Sequence, residues 1–397
     1  MSDKPTVLCI SSYFKGNRFL ERLHERGANV HLLTLDNLLG DKWSRHALTD
    51  VYGQPPKAPL ETTLRIVAFL MRTIRFDHVV ALDDFDVETA AAVRELVRMP
   101  GMNVSTARLF RDKLAMRVRA TELGIPVPGF TGLFGNDRIV EFTARIPPPW
   151  MHKPRGSASA VGIRKIASSA ELWELVETEG DARSEHLLEE YLPGDVWHVD
   201  TLMAGGRIGV AEVHRCDTPP FDVAHGGGVY AVTTAPRDSD ETAQLLAMNR
   251  TILEGFGMTE GASHVEFIRA RDGSGFYFLE CGARVGGAHT TEMIEAAIGT
   301  NPWELWADLT LDGPSWTPPT LQAGYGGLLM TLSQDEKPDL SSFDAPEVLY
   351  RAPEAYHAGL VVGAPTFERV RELVDTYAAR LRNEVTAVLP APVEVSR

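Results

Sequence analysis

Two glutamates and an arginine in the second half of the chain have residue types and spacing that suit chemistry on phosphate groups. The segment FYFLECGARVGGAH, residues 276–289, is an apolar run that ends at Glu280 and is followed by Arg284, Gly286 and Gly287. A guanidinium stays charged and matches the geometry of phosphate and carboxylate groups. We therefore expect Arg284 to hold an anion where a strand leaves the core, with the glycines leaving room for it.

A second carboxylate is expected beside Glu280. HVEFI places Glu266 inside an apolar run, and the turn ARDGSG separates that run from FYFLEC. A hairpin through this turn would bring Glu266 and Glu280 side by side on one face. Two such carboxylates repel each other unless a cation lies between them, and hard oxygen ligands suit Mg²⁺. The alternative is that one of the two glutamates points to solvent as an ordinary polar strand residue.

The segment WMHKPRGSASAVGIRKI, residues 150–166, could contact a polyphosphate. Lys153 ends an apolar run, and the loop that follows is mostly Gly, Ser and Ala, so its backbone N–H groups can approach phosphates closely. The pattern GxxxxGK[ST] is absent from this region, and the lysine precedes the loop. The alternative is a flexible surface hairpin.

HLLEEYLPGD, residues 186–195, could recognise a nucleoside. An extended segment broken by Pro and Gly can present backbone groups to adenine and an acidic side chain to ribose hydroxyls. An acidic edge strand explains the same pattern.

These residues need a scaffold, and the pattern predicts an α/β (α+β) chain. TVLCISSY, RFLERLHERGA and NVHLLTL form a βαβ pattern, and HVVALDDFDVETAAAVRELVRM repeats strand and helix. We expect residues 1–104 to form a Rossmann-like parallel domain. Because GxGxxG is absent after the first strand, a dinucleotide site is not expected there, and this domain should contribute one wall of a cleft.

The rest of the chain is predicted to form three further segments. Residues 105–192 begin with one helix, TARLFRDKLAMRVRATELG, and continue as a small lid of mixed strands and helices. Residues 193–330 are mostly β and should form an antiparallel catalytic subdomain. Residues 331–397 are expected to add short strands and a helix that cover its sheet.

Composition limits the possible partners. The 397 residues include 39 Lys and Arg against 54 Asp and Glu, a formal net charge of −15, which disfavours nucleic acid and anionic membranes as partners. Three separated cysteines support neither a disulfide framework nor a structural zinc site. The N-terminal segment lacks the pattern of a secretory signal, and we expect a cytoplasmic protein.

The order of these motifs resembles the ATP-grasp superfamily over roughly residues 5 to 330. The resemblance implies that Lys113, in Asp112-Lys113, and Lys153 contact the phosphates of ATP, that Glu266 and Glu280 bind Mg²⁺ or Mn²⁺, and that Arg284 and Lys153 are catalytic. It further implies ATP-binding roles for residues of the small-residue loop and of the adenine hinge, namely Ser157, Ser159, Val161, Glu189, Glu190, Tyr191, Leu192 and Asp195.

One position departs from part of this superfamily. Many members, the D-alanine:D-alanine ligases among them, have Glu-x-Asn-x-Arg with the Asn as a further magnesium ligand, whereas Gly282 occupies that position here. ECGARVGG is instead similar to the bacterial L-amino-acid ligases. The number of bound Mg²⁺ ions, one or two, stays open, and the biotin carboxylases become a weaker comparison.

The resemblance implies a carboxylate–amine ligase that forms an amide through an acyl phosphate, with an amino acid as the carboxylate and an amine as acceptor. We expect substrate contacts from two glycine-rich segments, namely from Arg215, His225, Gly227, Gly286, Gly287 and His289. His152 and His264 are expected to be structural. The alternatives are another ATP-grasp enzyme, such as a carboxylase or an acid–thiol ligase, and a non-catalytic nucleotide-binding protein. A homodimer is possible.

Overall fold

The N-terminal part of the chain forms the expected parallel domain. This computed structural model describes residues 4–158 and 160–387. A four-stranded parallel sheet has the strand order β3-β2-β1-β4. The elements are β1 (Thr6–Ser11), α1 (Asn17–Glu25), β2 (Asn29–Leu35), β3 (Asp50–Gln54), α2 (Leu60–Leu70), β4 (His78–Ala81) and α3 (Val87–Val97). The carboxyl end of β4 leads into the acidic segment Asp83–Asp86, of which Asp84 lies at the candidate site described below.

The helix predicted from TARLFRDKLAMRVRATELG is two helices, α4 (Val104–Arg108) and α5 (Lys113–Glu122). The break has a local cause, because the Asp112 side chain accepts hydrogen bonds from the backbone N–H groups of Leu114 and Ala115. A side-chain oxygen in this position satisfies donors that the first turn of a helix leaves unpaired, so it favours a new start. Lys113 is thereby the first residue of α5.

A small antiparallel sheet follows, which we call the lid sheet. Its strand order is β5-β8-β6-β7. Its elements are β5 (Phe130–Gly132), α6 (Asn136–Arg145), β6 (Trp150–Pro154), β7 (Arg164–Ile166), α7 (Ser169–Glu179) and β8 (His186–Glu190). Apolar residues of both helices pack on the buried Trp150 and Leu188. The lid sheet therefore has its own core.

The largest layer is an eight-stranded antiparallel sheet, the central sheet, with the strand order β13-β12-β9-β10-β11-β14-β16-β15. Its elements and flanking helices are β9 (Gly194–Ala204), β10 (Arg207–Cys216), α8 (Pro220–Gly226), β11 (Tyr230–Thr234), α9 (Asp240–Gly255), β12 (Gly261–Ala270), β13 (Phe276–Gly282), α10 (Thr290–Ile298), α11 (Pro302–Asp312), β14 (Tyr325–Leu332), β15 (Val348–Arg351), β16 (His357–Ala364) and α12 (Phe367–Glu384).

The three sheets confirm the predicted fold class of a parallel N-terminal domain, a small lid and a large antiparallel part. The division into four segments stays a prediction. The central sheet runs across its last boundary, since β14 contains residue 330 and pairs with β16. The expected C-terminal strands are thus members of the same sheet that carries Glu266 and Glu280.

The N-terminal domain is fixed against the central sheet through α1 and α11. Phe19 lies with its ring centroid 5.1 Å from that of Trp306. Arg22 of α1 and Arg26, the residue that follows this helix, both form ion pairs with Asp308 on α11. Burial of aromatic area contributes most of the stabilisation at such a contact, about 2 kcal/mol for a large side chain, and exposed ion pairs add less. This interface holds the end of β4 beside the central sheet. Within the described ranges, no helix has the length and apolar character needed to cross a bilayer.

Candidate active site

A cleft lies between the lid sheet, the central sheet and the carboxyl end of β4. Its cavity volume is about 270 Å³. The charged residues that line it come from all three parts of the molecule: Asp84, Lys113, Lys153, Glu189, Glu190, Asp222, Glu266, Arg271, Glu280 and Arg284. The two predicted lysines, the two predicted metal ligands and Arg284 therefore meet in one place.

The expected hairpin carries the two glutamates. Strands β12 and β13 pair antiparallel, and Glu266 is directly opposite Glu280 in the register, with an irregularity just after Glu266. The two side chains are 32% and 29% exposed, respectively. Directly opposite residues of an antiparallel pair lie close on one face, so the two carboxylates share one wall of the cleft.

Each of these glutamates has a cationic partner, which is Lys113 of α5 for Glu280 and His264 of the same strand, β12, for Glu266. Lys113 Nζ donates to Glu280 Oε1 at 2.9 Å and to the Ser157 carbonyl oxygen at 2.6 Å. His264 Nε2 lies 3.3 Å from Glu266 Oε1. Burial acts to raise the pKa of Glu266, but the hydrogen bond and charge of His264 outweigh it and lower that pKa to about 2. Glu266 is therefore a carboxylate at neutral pH.

Lys153 is held by a buried acid inside the lid. It pairs with Glu189, whose other partner is Arg117 at 2.6 Å. Glu189 is 1% exposed and Arg117 is fully buried. Burial favours the neutral acid, yet the charges of Arg117 and Lys153 lower the pKa of Glu189. A sequence-predicted hinge residue is thus the centre of a buried ion triad.

The loop after Lys153 is fastened to the start of α5. Arg155 pairs with Asp112 through Nε, at 2.9 Å from Oδ1, and through Nη2. Its backbone carbonyl accepts from Lys113 N at 2.9 Å. Ala158 and Ala160 line the cleft, whereas Ser157 contributes its carbonyl to Lys113. Ser159 lies outside the described residues, and Val161 donates its N–H to Ala158 O.

Arg284 is oriented by an aspartate of the N-terminal domain. Its Nε donates to Asp84 Oδ2 at 2.7 Å, and its Nη1 donates to the Val285 carbonyl at 2.8 Å. Burial alone would raise the pKa of Asp84, but Arg284 and Arg111 lower it to about 2. The guanidinium is paired on one side and borders the cleft.

A cluster of His198, Asp200 and His264 adjoins Glu266 and was not predicted from the sequence, whereas the structural role expected of His264 stays a prediction. Asp200 accepts from His198 Nδ1 at 2.7 Å and from His264 Nδ1 at 2.9 Å. Burial acts to lower the pKa of His264, but Asp200 and then Glu266 outweigh it and raise that pKa to about 9. The available signal was the i, i+2 spacing of His198 with Asp200 and of His264 with Glu266, which puts each pair on one face of its strand.

The predicted adenine hinge borders the cleft. Glu190, Tyr191 and Leu192 all line it, and Glu190 Oε2 accepts from the backbone N–H of Gly129 at 3.1 Å. Asp195 instead pairs with Arg215 at 2.9 Å, and neither is among the described residues that line the cleft. The nucleotide role of Asp195 and the substrate role of Arg215 stay predictions.

The other predicted substrate residues lie in two segments. His225 is exposed in the last turn of α8, where its Nδ1 donates to Phe221 O at 2.9 Å, and Gly227 follows that helix with φ of +71°. Phe221 and Asp222 of the same helix line the cleft. The substrate roles of His225 and Gly227 stay predictions.

The second segment follows Arg284. A Cβ at Gly286 would lie 2.7 Å from Asp200 Oδ1, whereas one at Gly287 would meet open space. His289 precedes α10 and lies 3.4 Å from Glu292 and 3.1 Å from Glu354. Burial would lower the pKa of His289, but these two glutamates raise it to about 9. These three substrate roles also stay predictions.

Comparisons with known proteins find L-amino acid ligases that are similar to this chain in sequence and in fold. No family model matches the chain. An L-arginine-specific L-amino acid ligase of Bacillus subtilis is 25% identical over 310 residues, which is 76% of this chain and 72% of the ligase. The crystal structure of an L-amino acid ligase from Bacillus licheniformis has a TM-score of 0.73 at 19% identity, with 94% of this chain and 98% of that chain covered.

A third relative was solved with nucleotide. The biotin carboxylase domain of a 2-oxoglutarate carboxylase from Hydrogenobacter thermophilus, in complex with MgADP, ADP and bicarbonate, has a TM-score of 0.69 at 16% identity, with 92% and 88% of the two chains covered. At these identities the two solved structures establish a shared fold.

Proposed function

Because the chain belongs to the ATP-grasp superfamily of ligases, we propose that it is an ATP-dependent carboxylate–amine ligase that joins an amino acid to an amine. One observation carries the proposal. The paired Glu266 and Glu280, with Arg284 four residues later, face a cleft to which the lid and α5 contribute Lys153 and Lys113. Two carboxylates, two ammonium groups and a guanidinium around one cavity suit phosphoryl transfer to a carboxylate.

The proposed reaction has two steps. An oxygen of the substrate carboxylate attacks the γ-phosphorus of ATP, the bond to the β–γ bridging oxygen breaks, and ADP leaves with that oxygen. The amine nitrogen then attacks the carbonyl carbon of the acyl phosphate. Inorganic phosphate leaves, the nitrogen loses a proton, and an amide remains. The protein needs to position the reactants and stabilise charge, since it forms no covalent bond of its own.

The two lysines are suited to the phosphates of ATP. Lys113 is compensated by Glu280 and a carbonyl oxygen, both of which a phosphate could replace as partners. Lys153 precedes a loop of small residues that passes beside Lys113. Ammonium groups act as compact point charges on phosphate oxygens. We assign both lysines to nucleotide binding, with Lys153 also stabilising the transferred group.

The glutamates form a donor set that fits a divalent cation. Their contacts with Lys113 and His264 use Oε1 of each side chain, and both carboxylates are partly open to the cleft. Carboxylate oxygens suit Mg²⁺, or Mn²⁺ in its place. We assign the ion to Glu266 and Glu280. Once bound with the nucleotide, it would neutralise phosphate charge and polarise the phosphoryl group.

Arg284 and the lid complete the proposed site. The guanidinium is suited to the three oxygens of the transferred phosphoryl group, because it is always charged and its N–H groups form a planar fork. The lid sheet covers the cleft opposite the hairpin. Closure of this lid, over residues of about 120 to 190, would exclude water and protect the acyl phosphate from hydrolysis.

An amino acid is the proposed carboxylate, on the strength of the two ligases reported above. Arginine is the first to test, because the Bacillus subtilis relative is specific for it. The test measures ADP release from Mg-ATP with single L-amino acids and with pairs. Release that requires an amino acid, together with a dipeptide detected by mass spectrometry, supports the proposal. ADP release that no amino acid increases contradicts it.

A carboxylase is the second candidate, because its fold relative was solved with bicarbonate. Addition of bicarbonate separates the two. ADP release that depends on bicarbonate and not on amino acids would favour the carboxylase, and hydroxylamine trapping of an amino acyl hydroxamate would favour the ligase. Tight ATP binding without ADP release under any of these conditions would favour a non-catalytic protein.

A further inference from the structure

Gly282 has no side chain, and the space beside it is occupied by the carboxylate of Asp84 from the N-terminal domain. A Cβ built at Gly282 would lie 2.7 Å from Asp84 Oδ1, closer than real Cβ atoms approach other heavy atoms. Gly282 does not have a positive φ, so backbone conformation does not require a glycine there. The missing side chain therefore serves the close approach of Asp84, which is 198 positions earlier in the chain.

The backbone around Asp84 is fixed on its own side of the cleft. Asp83 Oδ1 accepts from the backbone N–H of Phe85 at 2.9 Å and caps the turn in which Asp84 lies. Arg111 is 3.9 Å from Asp84 Oδ1. The Asp84 side chain is only 8% exposed. A capped turn and a buried side chain restrict this carboxylate to a narrow range of positions.

The other oxygen of Asp84 sets the direction of Arg284. Two contacts define the guanidinium plane, Nε to Asp84 Oδ2 at 2.7 Å and Nη1 to Val285 O at 2.8 Å. Neither contact uses Nη2. A planar fork held at two nitrogens has no freedom to rotate about its last bonds, so the position of Asp84 decides where the remaining N–H groups lie.

We propose that Asp84 is a positioning residue that aims Arg284 at the transferred phosphoryl group, and that Gly282 is small in order to admit it. This inference rests on the proposed ligase function. It makes the N-terminal domain part of the site, because one of its carboxylates orients a side chain of the hairpin. Asp84→Ala removes the acceptor, and Asp84→Asn retains its shape and one acceptor oxygen while removing the charge.

A double-mutant cycle in stability tests the contact between the two residues. Gly282→Ala should lower the midpoint of thermal unfolding when Asp84 is present and have no such effect in the Asp84→Ala background, where the space is free. Equal decreases in both backgrounds would overturn the proposed steric relation. This readout needs no substrate.

Steady-state kinetics with Mg-ATP and the best amino-acid pair test the positioning role. Asp84→Ala should lower kcat on the order of 100-fold, as expected for a displacement of about 1 Å, and should leave the KM for ATP unchanged. Asp84→Asn should lose only about tenfold, because a neutral acceptor weakens the contact without removing it. Asp86→Asn is the matched control, since Asp86 is a buried acid of the same turn whose oxygens bind Ser12.

An unchanged kcat in Asp84→Ala would overturn the positioning role. A rise in the KM for ATP equal to the fall in kcat would overturn it as well, because Asp84 would then only build the nucleotide pocket. NMR with ¹⁵N-labelled arginine keeps the inference testable if the wild type has no ligase activity. The Arg284 Nε–H signal, assigned by its loss in Arg284→Lys, should persist in Asp86→Asn and exchange away in Asp84→Ala. Its persistence in Asp84→Ala would contradict the proposal.

Discussion

Two lysine–glutamate pairs border the same cleft, and they differ in the burial of the glutamate. Glu189, the partner of Lys153, is 1% exposed and has a second cation, Arg117, at 2.6 Å. Glu280, the partner of Lys113, is 29% exposed and lies beside another carboxylate in the hairpin register. The same chemical pair therefore occurs once with a buried glutamate, in the lid, and once with a partly exposed glutamate, in the hairpin.

The two pairs should respond differently to the loss of one partner. Removal of one partner of a buried ion group leaves an uncompensated charge in a poorly solvated place, which is strongly destabilising. A partly exposed pair contributes little to stability, and water or a ligand can replace either partner. We therefore expect loss of the Glu189 charge to affect mainly folding and loss of the Glu280 charge to affect mainly turnover. Two substitutions test this difference, and two more test neighbouring charged groups; the four follow in order of decreasing expected effect.

Glu280→Gln should lower turnover by at least about 1000-fold, because a metal ligand beside the transferred charge is lost. The free energy of unfolding should fall by only about 1 kcal/mol, because the buried Lys113 keeps the Ser157 carbonyl and the new carboxamide oxygen as acceptors. ADP release with the active amino-acid pair and urea unfolding measure the two quantities. Wild-type turnover in this variant would remove Glu280 from the proposed metal site.

Glu189→Gln should lower the free energy of unfolding by about 3 kcal/mol, because Arg117 and Lys153 would remain buried without a counter-charge. Glu190→Gln is the matched control, since its carboxamide oxygen can still accept from Gly129, and it should lose less than about 1 kcal/mol. Urea unfolding followed by circular dichroism measures both. Equal stability of the two variants would mean that the buried triad is not the stabilising element we describe.

Arg284→Ala should lower kcat about 100-fold with little change in ATP affinity, as expected for a donor that acts on developing charge. Arg269→Ala is the matched control and should leave kcat unchanged. Arg269 belongs to the same hairpin, but its partner is Glu241 and not one of the two metal-binding candidates. Kinetics and nucleotide titration check the pair. A parallel loss of ATP affinity in Arg284→Ala would assign Arg284 to nucleotide binding alone.

His289→Gln should lower the free energy of unfolding by a smaller amount, which depends on pH. The pKa of His289 is raised to about 9 by Glu292 and Glu354, so its charged form stabilises the fold fully below about pH 6.5 and this contribution is lost as pH rises through 9. Because Glu354 is half exposed, we expect a difference of about 1 kcal/mol at pH 6. Urea denaturation of the wild type and of His289→Gln at pH 6 and pH 10 should show that their difference in free energy of unfolding is smaller at pH 10. The same difference at both pH values would contradict the ion pair.

The local parts of the site were predictable from the sequence. Glu266 opposite Glu280 followed from two alternating runs joined by a glycine turn, since register in a hairpin is set by the turn and the pattern. Lys153 at a strand end followed from the small-residue loop beside it. These features depend on residues that are close in the chain.

The contacts between distant segments were not predictable in the same way. Nothing local to Glu189 indicates that Arg117 will be buried beside it, and nothing near Arg284 indicates Asp84. The predicted continuous helix was wrong for a local reason, because the capping by Asp112 competes with helix continuation and was not recognised. The His198–Asp200 and His264–Glu266 spacings were visible in the sequence but were not used to predict the contacts around Asp200.

The pairing of β14 with β16 determines how the chain can be shortened. A protein ending at residue 330 would lose β15, β16 and α12 and leave most of β14 as an unpaired edge. It would also uncover the face against which Val370, Leu373 and Val374 are buried. An exposed apolar edge strand is a template for pairing with other chains. Such a shortened protein should self-associate even though every residue proposed for phosphoryl transfer is retained.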